Sequence, residues 1–148
     1  MPILFELVTP EALLVSQEVD MVVVPGTEGN FGVLPGHAPL ISTIRPGTID
    51  IYEGAAITER IFVVGGIAEV TPERCTVLAD DAMEPDSLDR GATEAELQAI
   101  EGNLPGLRDQ AARAAGPERE RLLLDLRQLE REQNVARAKL QAIAEIAR

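Results

Sequence analysis

A chain of 148 residues, 45% apolar and 26% charged, suits one medium domain or a small domain with an appendage. Its net charge of −12 opposes binding to nucleic acid, whose phosphates would repel it. One cysteine excludes a disulfide within the chain, and an aromatic content of 3% leaves the core to Val, Ile, Leu and Ala.

The opening MPILFELVTPE has no basic residue and no long apolar run, so no signal or transit peptide is expected. No stretch approaches the roughly 20 apolar residues of a spanning helix. The chain reads as soluble, or as held at a membrane by partners without insertion of its own. Charge divides it: residues 1–86 hold 3 basic and 14 acidic side chains, whereas residues 87–148 hold 10 and 11. Such asymmetry marks two regions.

In the first region, short runs rich in Val, Ile and Thr are punctuated by Gly and Pro. The predicted strands are Ile3–Val8, Glu18–Val24, Pro39–Ile44, Thr48–Tyr52, Ala56–Val64, Ile67–Val70 and Cys75–Ala79. Alternation places Ile49 and Ile51 on one face and sets Ile67 opposite Ala68. Cys75, inside an apolar run, is expected to be a buried, inert thiol. Evenly spaced turns and the absence of intervening helical runs predict an antiparallel β-sandwich or barrel.

From Thr93 the period changes. Thr93-Glu94-Ala95-Glu96 has the form of a capping box, and Leu97, Ile100, Leu104, Leu107, Ala111 and Ala114 follow at steps of three and four. Gly102 and Pro105-Gly106 interrupt this stripe, so a kink or an early end is expected there. Gly116-Pro117 stops one helix and starts the next. The second stripe runs Leu122, Leu126, Leu129, Gln133, Ala136, Leu140, Ile143, Ala147. Two striped helices and a short turn predict an antiparallel hairpin.

The stretch VPGTEGNFGVLPGHAP, Val24 to Pro39, carries the candidate site. It lacks the Lys of a P-loop, and its glycine spacing is not a dinucleotide fingerprint. His37, the only histidine, has no serine or cysteine nucleophile in an elbow-like context, so a turn histidine bonded to the backbone is favoured over a general base. One His and one distant Cys make no metal site. A loop stiffened by Pro25, Pro35 and Pro39 loses little entropy on binding, and it would display Phe31, Val33 and Leu34 beside Glu28 and Asn30. The residues alone leave open whether these side chains meet a partner or cap the core. On the last helix, Arg121, Arg127, Arg131, Arg137 and Lys139 alternate with acids, a pattern that suits a solvated face or an acidic partner.

The run VVVPGTEGNFGVLPGHAPLISTIRPG closely resembles a hallmark of the epsilon subunits of F-type ATP synthases, and FVVGGIAEVTPERCTVLADDA resembles a second. The resemblance covers residues 3–84 by motif and the remainder by architecture. It implies a sandwich of about ten strands over residues 1–86 and a helical hairpin over 87–148. It implies a non-catalytic rotor subunit that binds the γ subunit and the c ring, on the cytoplasmic side of a bacterial inner membrane. Glu28, Asn30, Phe31, Val33, Leu34 and His37 fall in the segment expected to contact those partners. Asn30 stands where the family usually has an acidic residue. The hairpin, with Arg121, Arg127, Arg131 and Arg137, is the region expected to reach the α/β head if it regulates hydrolysis. Asp89 fits the family's ATP motif, but Ala92 stands where its arginine should be, so ATP binding is expected to be weak or absent and no cofactor is expected. The competing reading is a free-standing ligand-binding or hydrolytic sandwich using His37. A generic adaptor working through its hairpin is a third.

Overall fold

The computed structural model describes residues 2–146, which divide between Ser87 and Leu88 into two compact units. The first holds ten strands: β1 (Ile3–Val8), β2 (Leu13–Val19), β3 (Met21–Gly26), β4 (Gly29–Val33), β5 (Leu40–Ile44), β6 (Gly47–Glu53), β7 (Ala56–Val63), β8 (Gly66–Val70), β9 (Arg74–Ala79) and β10 (Ala82–Met83). They form one folded sheet in the order β10-β7-β6-β3-β5-β8-β9-β1-β2, with β4 paired to β3. Strand β3 turns the corner between layers. Met21, Val22 and Val23 pair with β6, whereas Gly26 pairs with Ile44 of β5. The β2 edge then returns to β6, and Gln17 donates to Glu59 of β7 at 3.5 Å.

Period-two alternation builds the core. Ile3, Phe5 and Leu7 enter it from β1, Val22 and Val24 from β3, Ile49 and Ile51 from β6, and Cys75, Val77 and Ala79 from β9. Burial of Cys75 pushes its thiol from 9.0 up to about 12, in keeping with the inert cysteine expected. Gly66 permits the close crossing of β8 and β9: its φ is +140°, and a Cβ there would lie 2.1 Å from the Leu78 carbonyl oxygen.

The sandwich expected from the sequence is present, with four differences. The expected strand Glu18–Val24 is the end of β2 and most of β3, parted at Asp20, whose amide donates to the Tyr52 carbonyl and whose carboxylate accepts from Gly54 N at 2.6 Å; the Leu13–Gln17 part of β2 lies outside every expected strand. The segment Gly29–Val33, expected to be loop, is strand β4. Its two glycines and an asparagine hide a strand that β3 pairing stabilises. Strand β10 is two residues long, too short to leave a periodic signal. The pairing of β1 with β9 is parallel, although the rest is antiparallel. A parallel pair needs a long crossover, and the intervening sandwich supplies it.

The second unit holds α1 (Arg90–Arg113) and α2 (Gly116–Ile146), which pack against each other. Every member of the expected α1 stripe is buried or half-buried, as are all described members of the α2 stripe; Ala147 lies outside the described residues. The early end expected at Pro105 does not occur, because α1 continues through it to Arg113. Losing one backbone donor and gaining a steric clash costs about 3 kcal/mol. Burying Ile100 and Leu104 before the proline and Ala111 after it offsets that cost. The expected capping box at Thr93 is also corrected. Asp89 is the N-cap, its carboxylate accepting from Ala92 N at 3.0 Å, and Thr93 lies one turn inside the helix, donating to the Asp89 carbonyl at 2.7 Å. Gly116, at φ +62°, makes the turn between the helices, and Pro117 enters the first turn of α2.

Candidate functional site

The opening segment is a β-hairpin followed by a second turn. Gly26 pairs with Gly29 and leaves Thr27 and Glu28 at the tip. A Cβ on Gly26 would lie 2.8 Å from the Gly29 carbonyl oxygen and 2.9 Å from the Phe31 ring, so only glycine closes this tip. Four hydrogen bonds hold it to β5 and to Arg45 just beyond that strand. The Arg45 Nη1 donates to the Gly26 carbonyl, and its Nη2 donates to Asn30 Oδ1 at 2.5 Å. Thr27 N donates to the Thr43 carbonyl at 3.1 Å, and the two threonine hydroxyls share a hydrogen at 2.8 Å.

The six residues expected at the contact surface do not form one patch. Glu28 and Asn30 are exposed at the tip. Leu34 and His37 lie beyond the opposite end of β4, roughly 16 Å away at strand rise. They belong to a turn closed by His37 N donating to the Leu34 carbonyl at 3.1 Å, and tied to the β8–β9 turn by Gly36 N donating to the Pro72 carbonyl at 2.8 Å. Leu34 is 54% exposed. Val33 is 0% exposed and belongs to the core, so its expected display is corrected: strand alternation turns it inward from β4. Phe31 is half-buried, packed on the core yet open to the groove between the tip and β5, which Leu40 and Ile41 also line. The His37 Nδ1 lies 2.7 Å from the Ala38 carbonyl oxygen, the backbone-bonded turn arrangement favoured over a general base.

Sequence reasoning missed a second surface. On the outer face of the sheet, cross-strand pairing aligns Thr43 with Ile67, Ile67 with Leu78, Leu78 with Val8, and Val8 with Leu13. The result is one row across five strands. Ile67 is 45% exposed, Leu78 50% and Leu13 57%, while Ile41 beside the row reaches 73%. Thr43 joins this row to the tip through Thr27. The adjacent row on the same face begins at Ile41 and is otherwise polar: Glu69, Thr76, Glu6 and Ser16, with Arg74 at 3.3 Å from Glu6. The signal was present in the apolar outer position of Ile67, but assembling the row needs the register of all five strands.

Of the hairpin arginines, Arg137 reaches Glu101 of the facing helix at 3.1 Å. Arg121, Arg127 and Arg131 are exposed on α2. The Asp89 carboxylate accepts from the Ala92 amide of α1. No helix among the described residues is long and apolar enough to cross a membrane, and no group of three or more His, Cys, Asp or Glu among them is arranged to hold a metal ion.

The folded ten-stranded sandwich and the two-helix unit after it define a two-unit chain of a β-sandwich followed by a helical hairpin. The family model for the ATP synthase delta/epsilon chain, beta-sandwich domain, matches residues 3–85. The ATP synthase epsilon chain of Rhodospirillum rubrum is 56% identical over 110 residues, which is 74% of this chain and 82% of that one. That of Rhodospirillum centenum is 55% identical over 107 residues, 71% and 70% of the two chains. A chain in the structure of the Euglena gracilis mitochondrial ATP synthase, OSCP/F1/c-ring in rotational state 1, shares the fold at a TM-score of 0.70 and 17% identity, covering 99% of this chain and 81% of that one. The chain belongs to the epsilon-subunit family of F-type ATP synthases.

Proposed function

We propose that the chain is a non-catalytic rotor subunit that couples turning of a proton-driven c ring to ATP synthesis. The observation that carries this reading is the continuity of a rigid hairpin tip with an exposed aliphatic row on one sandwich. A torque-bearing subunit needs a broad apolar face for its fixed partner and a stiff projection for the body it grips. The row through Ile67 and Leu78 serves the γ subunit, and the tip at Glu28 and Asn30 serves the c ring. The sandwich unit carries these contacts, and the chain works on the cytoplasmic face of a bacterial inner membrane, held there by its partners.

The hairpin is the regulatory unit in this reading. Its exposed Arg121, Arg127 and Arg131 suit an acidic surface of the α/β head, whereas Arg137 holds the two helices together through Glu101. Its affinity for ATP is weak or absent in this reading: Ala92 supplies no cation to a phosphate, and Asp89 caps the helix. Single cysteines at positions 28 and 78 of the full chain, assembled in the complex and cross-linked, test the assignment. Buried Cys75 stays silent. Cross-links from position 28 to c and from position 78 to γ are expected; the same partner from both positions, or none, would contradict the two-surface arrangement.

A further inference from the structure

Residues 1–86 hold three arginines among fourteen acidic side chains. Arg60 pairs with Asp50 at 3.5 Å and Arg74 with Glu6 at 3.3 Å. Arg45 differs: among the described residues no carboxylate lies within 4.0 Å of it, and its side chain is bonded to two neutral oxygens, the Gly26 carbonyl and Asn30 Oδ1. Neutral acceptors orient a guanidinium without cancelling its charge. The half-buried cation therefore keeps a full positive charge beside the tip, in a unit that is otherwise strongly acidic.

We propose that Arg45 is a specificity-determining residue of the tip, whose guanidinium takes an Asp or Glu carboxylate presented by a loop of the docking subunit. The inference rests on the reading of the tip as a subunit contact. Two of the guanidinium's N–H groups fix its plane through Gly26 and Asn30, and the remaining donors are available to a planar anion. The tip around it is already tied to β5 through Thr27 and Thr43, so docking orders little. A lipid phosphate has the same sign, but an anionic membrane surface would repel a sandwich unit with so many acids, which favours a protein carboxylate. Asn30 is central, because a carboxylate at that position would neutralise Arg45 from within.

The test is rebinding of the full chain to membranes whose ATP synthase has been depleted of this subunit. The set compares wild type with Asn30→Asp, Arg45→Met and Arg45→Lys. Asn30→Asp keeps the clamp and closes an internal ion pair, so its melting temperature should equal or exceed that of wild type while its binding weakens about tenfold. Arg45→Met should weaken binding by a similar factor, Arg45→Lys by less, and the salt dependence of binding should be shallower in Asn30→Asp than in wild type. Undiminished binding of Asn30→Asp would reduce Arg45 to a fold clamp and overturn the proposal. Arg45-dependent binding to protein-free vesicles of phosphatidylglycerol would also overturn it, in favour of a lipid phosphate. Failure of wild type itself to rebind would instead overturn the subunit reading on which the proposal rests.

Discussion

Replacing Ile67 and Leu78 together by threonine probes the aliphatic row where it is most continuous. The two residues are directly paired across β8 and β9 and are 45% and 50% exposed. Full burial of such a side chain is worth about 1.5–3 kcal/mol, so the half still exposed offers about 1 kcal/mol apiece on docking. The pair contributes about 2 kcal/mol, which corresponds to roughly 30-fold in affinity. Threonine is β-branched and has high strand propensity, so folding stability should change by no more than about 1 kcal/mol. Titration of a depleted complex with wild type and variant, alongside thermal melts of both, separates the two effects. Unchanged affinity with an unchanged melt would refute the assignment of this face. A loss of affinity accompanied by a comparable loss of stability would show that the row supports the fold and not a partner.

Val33→Ala should cost about 2 kcal/mol of stability by opening a cavity in the core, whereas Leu34→Ala one residue on should cost under about 0.5 kcal/mol; chemical denaturation of both checks the inward and outward assignments. Pro105→Ala restores a donor to the continuous α1 and should stabilise the hairpin by about 1–3 kcal/mol, read by hydrogen exchange across residues 97–111; no gain would mean that the proline is fully accommodated. For Cys75, the folded thiol titrates near 12 against an ordinary 9.0. Below 9 both folded and unfolded chains hold the proton, so this group's contribution is fully present. As pH rises from 9 to 12 the unfolded chain releases the proton first, and stability should fall. A Cys75→Ala variant that keeps the same slope across that window would contradict the assignment.

What was legible in the sequence had short-range physical causes. The alternation in Thr48–Tyr52 placed Ile49 and Ile51 in the core, and the steps of three and four from Leu97 to Ala114 mark the buried side of α1. The turn role of His37 followed from the absence of any partner suited to catalysis. What escaped depended on pairing. Strand β4 has weak intrinsic propensity and exists because β3 supplies its hydrogen bonds. The proline at position 105 signals a break locally, but contacts with α2 override it. Val33 and Phe31 looked displayed because the segment read as a loop, and once it is a strand, alternation turns Val33 inward. The row from Thr43 to Leu13 joins residues up to 65 positions apart, so no local pattern reveals it.

Recovery of the tagged full chain from gently solubilised membranes, with mass spectrometry and an ATPase assay on the same eluate, tests the rotor assignment most directly. A rotor subunit should bring α, β, γ and c subunits into the eluate together with hydrolytic activity. Recovery of the chain alone, under conditions that keep the synthase intact, would contradict it.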